Sequence, residues 1–226
     1  NPSLRRFLTD PKAVIGLTIL IVTLAAALLA PVLFPRDPWQ MVSRPFLPPF
    51  QDARYWLGTD MLGRDILAGI AYGAQMSLIV GVASTAAALI LGILVGAFAG
   101  YNGGWIDDAL MRGTEFFQTI PTFVFALLMV AILAPSITSI IIAICVVSWP
   151  PVARLVRSEF ATLRSREFVK AARVLGESNS RIIFTQILPN TLSPVIAMSS
   201  LMVASAILTE AAISFLCLGD PNRMSW

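Results

Sequence analysis

The residues of this chain that could do chemistry are crowded into one place. Between Arg154 and Pro189 runs SEFATLRSREFVKAARVLGESNSRIIFTQILP, polar and basic, with long uncharged stretches on both sides. Elsewhere there are Cys145 and Cys217, an acid (Glu210) in a long apolar run, and Asp108, Arg112 and Glu115 at helical spacings of four and three. With no His and only two Cys, the chain cannot assemble a zinc site, and no metal is expected. Each Cys reads as a small buried hydrophobe. No paired carboxylates, nucleophile–base pair or metal cluster is evident. Gly100-Tyr101-Asn102-Gly103-Gly104 lacks the Lys and Ser/Thr of a phosphate-binding loop, and no other segment supplies one. The chain is therefore expected neither to be an enzyme nor to hydrolyse ATP. What the island offers is recognition.

Ser165 is placed to cap a helix running to Leu175, with Glu167 favourably set in its first turn. Gly176 then supplies the left-handed residue that stops it. A second short helix can begin at Ser178 or Asn179 and run to Leu188, where Pro189 marks a break. On the first helix Phe168, Ala171, Ala172 and Leu175 share one face, opposite Arg166, Lys170 and Arg173. A short apolar face flanked by charge fits a groove on another protein, and Ala171 and Ala172 permit close approach. The competing reading is a basic amphipathic helix lying on anionic lipid. A DNA-reading helix–turn–helix does not suit a segment tethered by membrane spans on both sides, so no nucleic-acid partner is expected.

The elements that must position this island are transmembrane. Of 226 residues 57% are hydrophobic and 13% charged, against about 25% charged in globular domains. Stretches 13–35, 66–106, 116–153 and 182–209 contain no Asp, Glu, Lys or Arg. A span needs about 20 apolar residues. Stretch 66–106 is read as a brief interfacial segment followed by one span, and Ala134-Pro135-Ser136 divides 116–153 into two short spans. The expected helices are 13–33, 77–99, 115–133, 137–154 and 192–216, an all-α polytopic membrane bundle. Asp10 caps the first of them, with Pro11 in its first turn. The first segment is too long for a cleaved secretory signal and reads as a retained span. The preceding Ser3–Leu8 is an interfacial or frayed terminus within an N-terminal segment 1–12.

With the N-terminus inside, eleven Lys and Arg fall on inner segments (Arg5, Arg6, Lys12, Arg112 and seven in the island) and five on outer ones (Arg36, Arg44, Arg54, Arg64, Arg223). That bias places the N-terminus and the island, about 155–190, in the cytoplasm. The Pro- and aromatic-rich segment from 34 to about 65–70 is expected to form a structured cap on the outer face. Gly92, Gly96 and Gly100 recur every four residues, a smooth ridge for close helix packing or, alternatively, a pore lining. Asp108, Arg112 and Glu115 suggest an intrahelical charge ladder. Glu210 reads either as lining an outer pathway or as a hydrogen-bonded helix interface.

KAARVLG, nine residues, then QILP resembles the coupling loop of inner-membrane permease subunits of ATP-binding-cassette importers, whose pattern is Glu-Ala-Ala, three residues, Gly, nine residues, Ile, one residue, Leu-Pro. Ala171, Ala172, Gly176, Leu188 and Pro189 match; Lys170 replaces the usual Glu and Gln186 stands where Ile is usual. LGTDMLGRDILAGIAYGAQMSLIVG (57–81), RRFLTDPKAVIGLTILIV near the start and TEAAISFLCLGDP near the end are similar to the dipeptide, oligopeptide and nickel permease subfamily, with Cys217 where Gly is usual. The resemblance implies a type I importer transmembrane domain over 13–226, with five of six spans visible and the sixth expected past Trp226. It implies a related second permease, two ATPase subunits that bind the ATP and Mg, and a periplasmic binding protein, in a bacterial inner membrane. In this reading the ATPase-coupling residues are Ser165, Arg166, Glu167, Phe168, Lys170, Ala171, Ala172, Leu175 and Gly176. The solute is a peptide, a nickel chelate or another small molecule. An ATP-independent secondary carrier is the rival class, but the chain shows neither mid-span charge nor inverted repeats.

Overall fold

In a computed structural model, which describes residues 9–219, the described residues form helices joined by turns and one irregular segment. The interfacial reading of Ser3–Leu8 lies outside these residues, as do Arg223 and the end of the last motif. The helices are α1 (Pro11–Leu33), α2 (Ile66–Asn102), α3 (Gly104–Gln118), α4 (Thr122–Leu133), α5 (Ile137–Arg164), α6 (Glu167–Val174), α7 (Asn179–Arg181) and α8 (Leu188–Ile213). A π-helical stretch, Ile182–Ile187, joins α7 to α8, and a second, Ser214–Leu218, follows α8. The chain divides into two compact units, the first ending at Ile79 and the second beginning at Val80; α2 begins in one and ends in the other.

In the first unit Asp10 caps α1, accepting from the Lys12 amide at 3.0 Å, with Pro11 in the first turn. The segment after α1 is non-helical up to Asp65. It is held by a buried hydroxyl: Thr59 Oγ1 donates to the Arg44 carbonyl (2.7 Å) and accepts from the Leu47 amide (3.0 Å). Gly58 sits there at φ 78°, where an added Cβ would overlap the Leu47 carbonyl. The sequence here folds into ordered turns because its prolines forbid helix while its buried hydroxyl satisfies the backbone.

Four helical stretches are long and apolar enough to cross a membrane: Pro11–Leu33, Ile66–Asn102, Ile137–Arg164 and Asn179–Leu216. A fifth is possible only as a broken span, α3 plus α4 bent by 82°. Several expected boundaries are corrected. The expected interfacial segment before residue 77 is the first part of a continuous α2, since 66–76 contains no helix breaker beyond glycines. The expected span 115–133 is divided at Pro121, which cannot continue the hydrogen-bond ladder. Its apolar half, α4, has 12 residues, or about 18 Å of rise. The expected span 137–154 is no short helix: α5 continues through Pro150 and Pro151 to Arg164, because charge does not break a helix. The last span begins earlier than residue 192 and joins the island without a break at Pro189, which sits in the first turn of α8.

Candidate functional site

The island is built on the end of α5. Ser165 does not cap the next helix, as the sequence suggested; it closes α5, its hydroxyl donating to the Thr162 carbonyl at 2.8 Å. Arg166 takes the extended N-cap conformation instead and makes no side-chain cap bond. α6 follows with Glu167 in its first turn and Arg173 in its last, both favourable to the helix dipole. Gly176, at φ 82°, ends it. The Gly176 amide donates to the Arg173 carbonyl (3.0 Å) and the Glu177 amide to the Ala172 carbonyl (3.1 Å), the paired bonds of a Schellman stop. Ser178 caps α7, accepting from the Arg181 amide at 3.4 Å.

α6 turns two apolar faces in different directions, which corrects the single face read from sequence. Val169 and Ala172 are buried and pack with Tyr101, Val156, Phe160, Ile182, Ile187 and Val195. Phe168, Ala171 and Leu175 stay exposed, together with Lys170. Val174 and Leu175 are 88% and 82% exposed. Ala172 therefore serves the chain's own core and is not available to a partner. Val174 was missed, although its position three residues after Ala171 places it on the outward face. Arg173 is not opposite the packing face: its guanidinium lies over the Tyr101 ring, 5.6 Å from the centroid.

Tyr101, near the C-terminus of α2, fastens the island from both sides, its hydroxyl donating to Asn179 Oδ1 at 2.6 Å. Arg164 donates to the Asn102 carbonyl at 3.1 Å, satisfying the end of α2. Behind this lies the glycine ridge. An added Cβ would stand 2.5 Å from Val152 Cβ at Gly92, would overlap the Ala153 carbonyl at Gly96, and would stand 2.6 Å from the Arg157 carbonyl at Gly100. α2 and α5 thus meet at near-backbone contact, and α5 leads directly to α6.

The expected ladder of Asp108, Arg112 and Glu115 is absent: all three are exposed and no ion pair links them. The acid that matters is the neighbouring Asp107, buried and paired with Arg157 of α5. Sequence reading missed it because the partners are distant in the chain. Glu210 is 1% exposed and accepts a hydrogen bond from the Ser214 hydroxyl at 2.9 Å.

Residues 92–223 match the family described as binding-protein-dependent transport system inner membrane component. The chain belongs to this family. Residues 3–51 match the N-terminal transmembrane domain of oligopeptide transport permease C. The permease is 41% identical to the dipeptide transport system permease protein DppC of Alkalihalophilus pseudofirmus over 217 residues, 94% of this chain and 69% of the relative. It is 37% identical to the di/tripeptide transport system permease protein DppC of Pseudomonas aeruginosa, covering 97% of this chain and 75% of the relative. It is 34% identical to the oligopeptide transport system permease protein OppC of Bacillus subtilis, covering 98% of this chain and 72% of the relative. This agrees with the resemblance carried by the KAARVLG and QILP motifs. The permease is an all-helical, multi-pass inner-membrane subunit of an ATP-binding-cassette transport system.

Proposed function

We propose that this permease pairs with a second, homologous permease to enclose a pathway for di- or oligopeptides, delivered by a binding protein on the outer face. Two ATPase subunits, which bind the ATP and Mg, drive it from the cytoplasm. The substrate class comes from the relatives, which are named for dipeptide, di/tripeptide and oligopeptide transport. The excess of Lys and Arg on the island side supports a cytoplasmic N-terminus.

One observation carries the coupling role. α6 is pinned from within by Val169 and Ala172 and ended by a glycine stop, yet leaves Phe168, Ala171, Val174 and Leu175 exposed. A helix held this firmly, with an apolar outer face, suits the groove of a soluble motor. Lipid association is the competing reading, since Arg166 and Lys170 are exposed beside these apolar residues while the Arg173 guanidinium lies over Tyr101. Closure of the ATPases would push α6, and the push would pass to α5 directly and to α2 through the ridge. The ATPase state and the pathway state are then linked two-state elements. Glu210, buried and bonded by the Ser214 hydroxyl, fits the helix-interface reading better than an outer pathway lining; Glu210→Gln should leave transport rate unchanged, and altered transport would return it to the pathway.

The test uses the assembled transporter in proteoliposomes. Val174→Asp and Leu175→Asp should abolish ATP-dependent peptide uptake and co-purification of the ATPase, with the permease still present in the membrane. Undiminished uptake by both variants would reject α6 as the coupling element.

A further inference from the structure

A cavity of about 330 Å³ opens beside the bend between α3 and α4, bounded by α5 and α8. That volume lies at the lower end of the range typical of small-molecule sites. Four uncharged polar side chains converge on it: Gln118 at the end of α3, Thr122 at the start of α4, Ser148 of α5 and Ser205 of α8. Met198 and Met202 complete the α8 wall. Among the described residues, no charged side chain lines it.

The polar groups facing the cavity are left open to whatever enters it. Several hydroxyls elsewhere on the same two long helices turn back onto their own backbone: Ser158 to Leu155, Thr162 to Ser158, Ser199 to Ile196, Thr209 to Ser205. Such back-bonding is the usual resting place of a helical hydroxyl in apolar surroundings. Among the described residues, the side chains of Gln118, Thr122, Ser148 and Ser205 make no hydrogen bond within the chain. Unsatisfied polar groups at membrane depth belong against water or a solute, because lipid cannot satisfy them. Phe117, also lining the cavity, stacks edge-on against Trp149 at 5.4 Å and tilts against Phe125 at 6.1 Å.

Resting on the peptide-transport reading above, we infer that this cavity is a transmembrane subsite of the translocation pathway, and that it takes the main-chain amides of the passing peptide. Each peptide unit carries one donor and one acceptor, matching neutral hydroxyl and amide side chains that can serve as either. Met198 and Met202 are flexible and polarizable, so they adapt to peptide side chains of differing shape. The lack of fixed charge keeps residence weak, as conduction requires. Selection by side chain would then fall to other parts of the system.

The experiment uses the complete transporter in proteoliposomes, with Cys145→Ala and Cys217→Ala as background. Ser148→Cys and Ser205→Cys should react with a water-soluble methanethiosulfonate reagent during ATP turnover, and a transported tripeptide with its binding protein should slow that reaction. Ser205→Trp, which fills the cavity, should cut tripeptide uptake by roughly tenfold with the transporter still assembled. Thiols unreactive at both positions would overturn the cavity's place on the pathway, whatever the solute. Reactive thiols that no transported peptide protects would overturn the ligand assignment alone. Parent proteoliposomes that take up no peptide would sink the peptide reading and this assignment with it.

Discussion

Arg157 grips Asp107 with two nitrogens: Nε stands 2.9 and 3.1 Å from the two carboxylate oxygens, and a terminal nitrogen bonds the second oxygen. The bidentate pair ties the first turn of α3 to α5. Asp107 is buried while the Arg157 side chain is 41% exposed. Asp107→Ala is therefore expected to cost about 1–3 kcal/mol, between the values for exposed and buried pairs. Arg157→Lys should be intermediate, since an ammonium cannot form the fork. Thermal denaturation of the purified complex reads both. Superimposable curves for Asp107→Ala and the parent would dismiss the pair as a structural tie.

The glycines of the chain divide by what surrounds them. Gly96 faces the α5 backbone directly, whereas an added Cβ at Gly113 of α3 meets nothing within 4 Å. Gly96→Leu should force α2 from α5 and prevent accumulation of folded permease. Gly113→Ala should be neutral or stabilise by up to about 1 kcal/mol, because Ala is the better helix former. Membrane levels of the two variants, compared by immunoblot and thermal shift, decide it; equal accumulation of both would contradict the close contact.

Local chemistry was legible in the sequence, and long-range pairing was not. Asp10 and Pro11 mark the start of α1 because capping is decided within one turn. Gly176 marks the end of α6 for the same reason. Ser165 misled because its type suits a cap at either side, and its hydroxyl donates back to the Thr162 carbonyl. Pro121 and Pro150 look alike in sequence. One falls where α3 and α4 diverge; the other lies inside α5, buried and packed by its neighbours. Ala172 shows the wider difficulty. On an eight-residue helix, an apolar face toward one's own core and an apolar face toward a partner are adjacent. Only the surrounding helices decide which residue belongs to which.

That division makes a sharp prediction for neighbouring alanines. Ala172 is 6% exposed among Val156, Phe160 and Ile187, so Ala172→Leu overfills a packed site, at a cost of about 1–3 kcal/mol. Ala171 is exposed, and Ala171→Leu should change stability by less than about 0.5 kcal/mol. The expected pattern is a lowered melting temperature for the first and unchanged melting with impaired ATPase binding for the second. The reverse pattern would show that α6 is rotated relative to the arrangement described.

Tyr101 joins the island to the end of α2 through two separable interactions, and variants can remove them in turn. Tyr101→Phe deletes the hydrogen bond to Asn179, at a cost of about 1 kcal/mol. It keeps an aromatic face for Arg173, an interaction of about 0.5–1 kcal/mol at such a site. Tyr101→Ala loses both, along with its part in the cluster behind α6 that also holds Val169 and Ile182. Amide exchange across Glu167–Ile187 should therefore rise modestly in Tyr101→Phe and strongly in Tyr101→Ala. If α6 acts as a lever, a loosened root should let ATP hydrolysis continue while less peptide crosses per ATP. A Tyr101→Ala transporter with faster exchange but an unchanged ratio of peptide to ATP would mean that the tether supports the fold and carries no force.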